Sequence, residues 1–162
     1  FRRDLSYFWL GAKVSLKNWA RNGWLTEHKT SPQEIQDLLR IADRDLADCR
    51  EEGLSPDWHL NIAYNAALQS ATAALAASGY RCSREAHHYR VLQSLALTVG
   101  MDRGSIRQLD QFRRKRNLSD YERAGLVSDQ EAEEMEALAH CLGGKVMHWL
   151  KAEHPDLLGK HK

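Results

Sequence analysis

The chain has 162 residues, 43% apolar and 28% charged, with a formal net charge of +1, which suits one globular domain with a substantial core. Near-neutral charge excludes a protein that coats nucleic acid over its whole surface, so any basic surface must be local. Three prolines and few β-branched residues leave little material for sheets, and no apolar run approaches the ~20 residues of a membrane span; an all-α protein outside the membrane is expected.

The chain opens Phe1-Arg2-Arg3-Asp4, and its Leu5 to Leu10 patch is too short and too aromatic for a signal peptide. Leu5, Phe8, Trp9, Ala12, Leu16 and Trp19 then recur every three or four residues, and Asn22-Gly23 supplies a stop. That pattern predicts an aromatic, amphipathic N-terminal helix over residues 4–22. It packs on the main body or faces a partner, since Trp and Tyr are enriched at interfaces.

Ser31-Pro32-Gln33-Glu34 is a helix start, with a capping serine, proline at the first helical position and an acid at the third. The helix carries Ile35, Leu38, Leu39, Ala42, Leu46 and Cys49 and stops near Gly53. Ser55-Pro56-Asp57 opens the next in the same way, and it runs through Leu60, Ala63, Tyr64, Ala67, Leu68, Ala71, Ala74 and Leu75 to Gly79. So many alanines permit close helix–helix approach, as in a central helix. A further helix is expected from about Ser83 to Val99, with His87 and His88 in its first turn and Gly100 ending it.

After Gly104-Ser105 comes a helix with Ile106, Leu109 and Phe112 on one face. Ser119 with Glu122 reads as a second capping box, at which this helix is expected to break near Asn117 and restart. Ser128 with Glu131 caps the last helix, whose stripe is Met135, Leu138, Ala139, Leu142, Val146, Trp149 and Leu150. The product is an antiparallel four- to five-helix bundle over residues 31–152, with an N-terminal helical extension over 1–30 and a polar tail over 153–162.

Several familiar constellations are missing. Leu142-Gly143-Gly144-Lys145 lacks the spacing of a phosphate loop, and there is no HExxH motif or nucleophile elbow. Cys82, His87 and His88 do not form a recognised zinc pattern, and no second ligand pair accompanies them. Glu131, Glu133, Glu134 and Glu136 read as a solvated helix face, so neither metal nor cofactor is expected. Cys49, Cys82 and Cys141 are an odd number without a CxxC, which predicts reduced thiols and a cytoplasmic location.

What stands out is Phe112-Arg113-Arg114-Lys115-Arg116-Asn117-Leu118-Ser119-Asp120-Tyr121. Steps of four and three residues from Leu109 reach Arg113 and Arg116, so these two continue the edge of the buried stripe while Arg114 and Lys115 turn to solvent. An arginine on a core-facing row needs an anion or a set of acceptors, because an unpaired buried charge costs several kcal/mol. A phosphate matches the planar guanidinium fork. The plainer alternative is a solvated or salt-bridged lattice in which Asp110, Asp120 and Glu122 pair with the cations.

The order of Ala63-Tyr64-Asn65-Ala66-Ala67, then His87-His88-Tyr89, then Arg114-Lys115-Arg116-Asn117 followed by Tyr121 resembles HEPN domains (higher eukaryotes and prokaryotes nucleotide-binding). The resemblance covers residues 31–152. It implies a homodimer, often a metal-independent ribonuclease encoded beside a nucleotidyltransferase antitoxin, with the hallmark Arg on Arg116 and its polar neighbour on Asn117. Tyr121 stands where the family has histidine. RNA cleavage without metal needs a base for the ribose 2′-OH, an acid for the leaving oxygen and cations for the phosphorane charge. A tyrosine, with a reference pKa of about 10, is a poor base near neutral pH. The resemblance nonetheless implies catalysis at Arg116, Asn117 and Tyr121, with phosphate or RNA binding expected at Arg113, Arg114 and Lys115 and auxiliary chemistry at His87 or His88 if their helix faces the same cleft. A non-catalytic HEPN module that binds nucleotide or RNA phosphate, or docks the nucleotidyltransferase, stays open beside the ribonuclease.

Overall fold

Serine caps open most of the helices. In a computed structural model that describes residues 15–84, 87–121 and 125–159, and of residues 118–121 the backbone alone, Ser31 and Ser55 each accept from the backbone N–H three residues on, at 3.1 and 3.2 Å, with proline in the first helical turn. Side-chain acceptors there satisfy donors that the helix leaves orphaned. Ser128 and Glu131 close a full capping box on the last helix. The described helices are α1 (Leu16–Arg21), α2 (Pro32–Asp48), α3 (Pro56–Ala77), α4 (His87–Gln93), α5 (Arg103–Tyr121) and α6 (Asp129–Glu153), with 3-10 turns at Ser94–Ala96 and Pro155–Leu158.

The centre of this mainly helical body is α3. Leu60, Ala63, Tyr64, Ala67, Ala71, Ala74 and Leu75 are all buried, and α3 packs on both α2 and α6, with α4 and α5 against it as well. Small residues allow this. At Gly143 of α6, inside the helix as its position in the apolar stripe predicts, an added methyl would sit 3.9 Å from Ser70 Oγ of α3. From α6 the core takes Met135, Leu142, Val146 and Leu150, and from α5 Ile106, Leu109 and Phe112. Leu157 and Leu158, within the segment expected to be a polar tail, pack against the same core.

Three expectations are corrected. The chain is not purely helical, because β1 (Leu25–Glu27) pairs antiparallel with β2 (Tyr80–Cys82) in the register Leu25 with Cys82 and Glu27 with Tyr80. Three-residue strands carry no readable alternation, and the two partners are separated along the chain by α2 and α3. Second, the helix expected from Ser83 to Val99 is shorter. Ser83 and Arg84 lie outside it, and the described helix, His87–Gln93, tightens at Ser94, whose hydroxyl donates to the Val91 carbonyl at 2.6 Å. Third, α5 runs unbroken through Asn117 to Tyr121. Of the aromatic N-terminal stripe, Leu16 and Trp19 pack on the core, whereas Leu5, Phe8, Trp9 and Ala12 lie outside the described residues.

Candidate functional site

The apolar stripe of α5 ends at Phe112, and Arg113, Arg114 and Arg116 take the directions that helical geometry predicts, while Lys115, expected to turn to solvent, is half-buried. Arg114 points outward with its side chain 64% exposed, while Arg113 is drawn in, at 21%. Asp110, buried one turn earlier, holds both: Oδ1 accepts from Arg113 Nε at 2.7 Å and Oδ2 accepts from Arg114 Nη2 at 2.8 Å. This realises one link of the salt-bridged alternative; the side chain of Asp120 and all of Glu122 lie outside the described residues. Lys115 is only partly exposed and pairs with Glu131 of α6 at 2.9 Å. Arg113, Arg114 and Lys115 therefore have carboxylate partners.

Arg116 has a different setting. Its guanidinium carbon lies 5.2 Å from the centre of the Tyr64 ring, within the range of a cation–π contact. Tyr64 is buried on α3, and burial pushes its hydroxyl up to about 12 despite the opposing charges of Arg116 and Arg113. The His88 ring lies 6.2 Å from Tyr64 and 5.6 Å from His87. Burial lowers the pKa of His88, with His87, Arg116 and Arg113 acting in the same direction. The start of α4 thus faces the arginine row, so His88 joins Arg113 and Arg116 while His87 sits at the exposed rim. Asn117 is exposed, and the side chain of Tyr121 lies outside the described residues.

Arg116 also borders an open depression of about 400 Å³, which it shares with Arg44, Asp45, Trp58, Asn61, Ile62 and Asn65. Trp58 stands at its edge with 62% of its surface exposed. The floor is polar: buried Asp45 accepts from Arg44 Nη2 at 2.9 Å and from Asn65 Nδ2 at 2.6 Å. None of these residues is singled out by sequence. Trp58 falls in the first turn of a buried helix, and only its exposure reveals that it is not core.

A second cluster lies where the end of α2, the start of α3 and the middle of α6 meet. The ligand atoms of Cys49, His59 and Glu136 lie within 4.8 Å of one another. His59 Nε2 is 2.7 Å from Glu136 Oε1, and Arg50 Nε donates to Glu136 Oε2 at 3.3 Å. Glu136 is thus not part of a solvated face, as its acidic neighbours had implied. It recurs at helical spacing beside core residues, but its partners come from far along the chain. All three cysteines are free, with Cys49 and Cys82 buried and Cys141 exposed.

No protein-family model matches this sequence, and a search of curated proteins found no significant match.

Proposed function

We propose that this chain is a HEPN-type RNA-binding protein that cuts RNA without metal, as the toxin-like member of a prokaryotic toxin–antitoxin or defence pair. The observation that carries this reading is the position of Arg116, a guanidinium shared by the Tyr64–His88 cluster and the open depression beside Trp58. An RNA phosphate bound at Arg116 has a ring available for base stacking on one side, since exposed tryptophans serve single-stranded nucleic acid in that way. On the other side it meets a histidine kept neutral near pH 7 by burial and by neighbouring cations.

The roles follow from charge. Arg116, with Arg113, offsets the negative charge that develops on the phosphorane. His88, neutral and proton-poor, takes the proton of the 2′-hydroxyl, which Tyr121 is poorly suited to do. Tyr121 supplies a hydroxyl donor and Asn117 orients the phosphate, while Arg114 and Lys115 extend the basic edge. The family resemblance adds a homodimer whose two sites face one cleft and a nucleotidyltransferase partner.

The test is cleavage of a mixed RNA pool by the purified, folded protein in chelator. Wild type should cut, and Arg116→Ala and His88→Gln should each lose about 10²–10⁴-fold. Loss in Tyr121→Phe would add the tyrosine hydroxyl to the machinery.

A second reading has one observation in its favour. Asp110 and Glu131 already offset two of the three positive charges of Arg113, Arg114 and Lys115, which leaves the site less cationic than its sequence. A module that binds a nucleotide or RNA phosphate without turnover fits that charge balance. RNA-dependent quenching of Trp58 fluorescence, absent in Trp58→Phe, without any cleavage would select it.

A further inference from the structure

We infer that Cys49, His59 and Glu136 form a binding site for a single zinc-like divalent cation that ties α2, α3 and α6 together. The site shares no residue with the arginine row and goes beyond the proposed ribonuclease.

Its chemistry sets the ion. One thiol, one imidazole and one carboxylate are a donor set for zinc or cobalt, whereas magnesium and calcium require mainly oxygen. A tetrahedral zinc with bonds of about 2.0–2.3 Å needs its ligand atoms about 3.3–3.8 Å apart. The three donor atoms all lie within 4.8 Å of one another, with His59 Nε2 and Glu136 Oε1 the close pair at 2.7 Å. Small rotations of side chains on three fixed helices bridge the difference. On binding, Cys49 releases its thiol proton, now given to the Leu46 carbonyl at 3.2 Å, to solvent. His59 Nε2, which now donates to Glu136 Oε1 at 2.7 Å, passes that proton to solvent as the ring takes one up on Nδ1, and coordinates as the neutral imidazole. Solvent fills the fourth position.

The surroundings are those of a supported site. Arg50 holds the far oxygen of Glu136, Oε2, at 3.3 Å, so Oε1 stays available to a cation while the carboxylate is oriented from behind. Outer partners of this kind set ligand direction in metal proteins. His59 and Glu136 have side chains 20% and 21% exposed, which provides an entry path that Cys49, 1% exposed, lacks. A thiol–imidazole–carboxylate set also invites comparison with a nucleophilic triad. That alternative fails, because burial and the nearby Glu136 charge raise the Cys49 thiol to about 11, and a protonated, buried thiol is a poor nucleophile.

The decisive measurement is titration of the reduced, metal-free full chain with Co²⁺, followed by Zn²⁺ competition and thermal melting. One equivalent of Co²⁺ should produce a thiolate-to-cobalt charge-transfer band in the near ultraviolet, which Zn²⁺ abolishes. The band and the zinc-induced rise in melting temperature should vanish in Cys49→Ser and in His59→Gln, and persist in Cys141→Ser. His59→Gln keeps the core intact, so it remains informative if Cys49→Ser unfolds. Arg50→Ala should weaken binding about 10–100-fold. No band in wild type, or a band that survives His59→Gln and disappears in Cys141→Ser, overturns the site. None of these readouts involves RNA, so their failure leaves the ribonuclease reading untouched, and the reverse holds as well.

Discussion

Tyr64 brings a hydroxyl into the core beneath Arg116, and among the described residues that hydroxyl has no hydrogen-bond partner. A buried unsatisfied hydroxyl costs about 1–3 kcal/mol, while the ring contact to Arg116 needs only the aromatic face. Tyr64→Phe is therefore expected to raise stability by up to about 1 kcal/mol in urea denaturation, with RNA binding retained if the ring alone serves the site. Asp110 presents the opposite case. It is buried and bonded to two guanidiniums, and Asp110→Asn should cost about 2 kcal/mol, the worth of its charged hydrogen bonds. The same variant frees Arg113 and Arg114, so under the proposed RNA-binding function the affinity for RNA should rise and become more salt-dependent. That split, weaker fold but tighter phosphate binding, is measured by denaturation and by a salt titration of RNA affinity.

At the scale of elements, Gly79 decides how α3 hands over to β2. It ends the helix in the left-handed region at φ 97°, and nothing within 4 Å would obstruct a methyl there. The penalty for Gly79→Ala is thus purely conformational, about 1–2 kcal/mol, and thermal unfolding should report it without loss of packing. The β1–β2 pair that follows tethers the N-terminal segment to the central helix, and Arg90 over the Trp24 ring at 3.5 Å adds a tie to α4. That tie bears on the candidate site, because α4 carries His88.

For the whole molecule, proton linkage predicts two acid limbs. His88 has a lowered pKa in the folded state, so the unfolded chain binds its proton more tightly. Stability is complete above about 6.5, the ordinary histidine value, and falls as pH drops below it, levelling off beneath the lowered folded value. Glu131 is also held low, by the Ser128 backbone N–H and by Lys115. Its contribution is present above the unfolded value of 4.5 and is lost as pH falls through the folded one. Melting temperature measured against pH should show both limbs; His88→Gln should remove the upper and Glu131→Gln should shrink the lower. If His88 is the base, the same upper limb should appear in the RNA cleavage rate and vanish with it.

The helices were legible because their information is local. Ser31-Pro32 and Ser55-Pro56 announce their own caps, and the stripe of α5 points Arg113 inward and Arg114 outward before any neighbour is known. The strands were not, since Leu25–Glu27 and Tyr80–Cys82 are too short to show a period. Sequence by itself thus determined the helical class, the core faces and the cationic row. Only the tertiary structure decided that His88 faces that row, that Trp58 is open beside Arg116, and that Cys49, His59 and Glu136 converge. The physical reason is that side-chain direction along one helix follows from 3.6 residues per turn, whereas the meeting of residues on different helices depends on how buried faces pack.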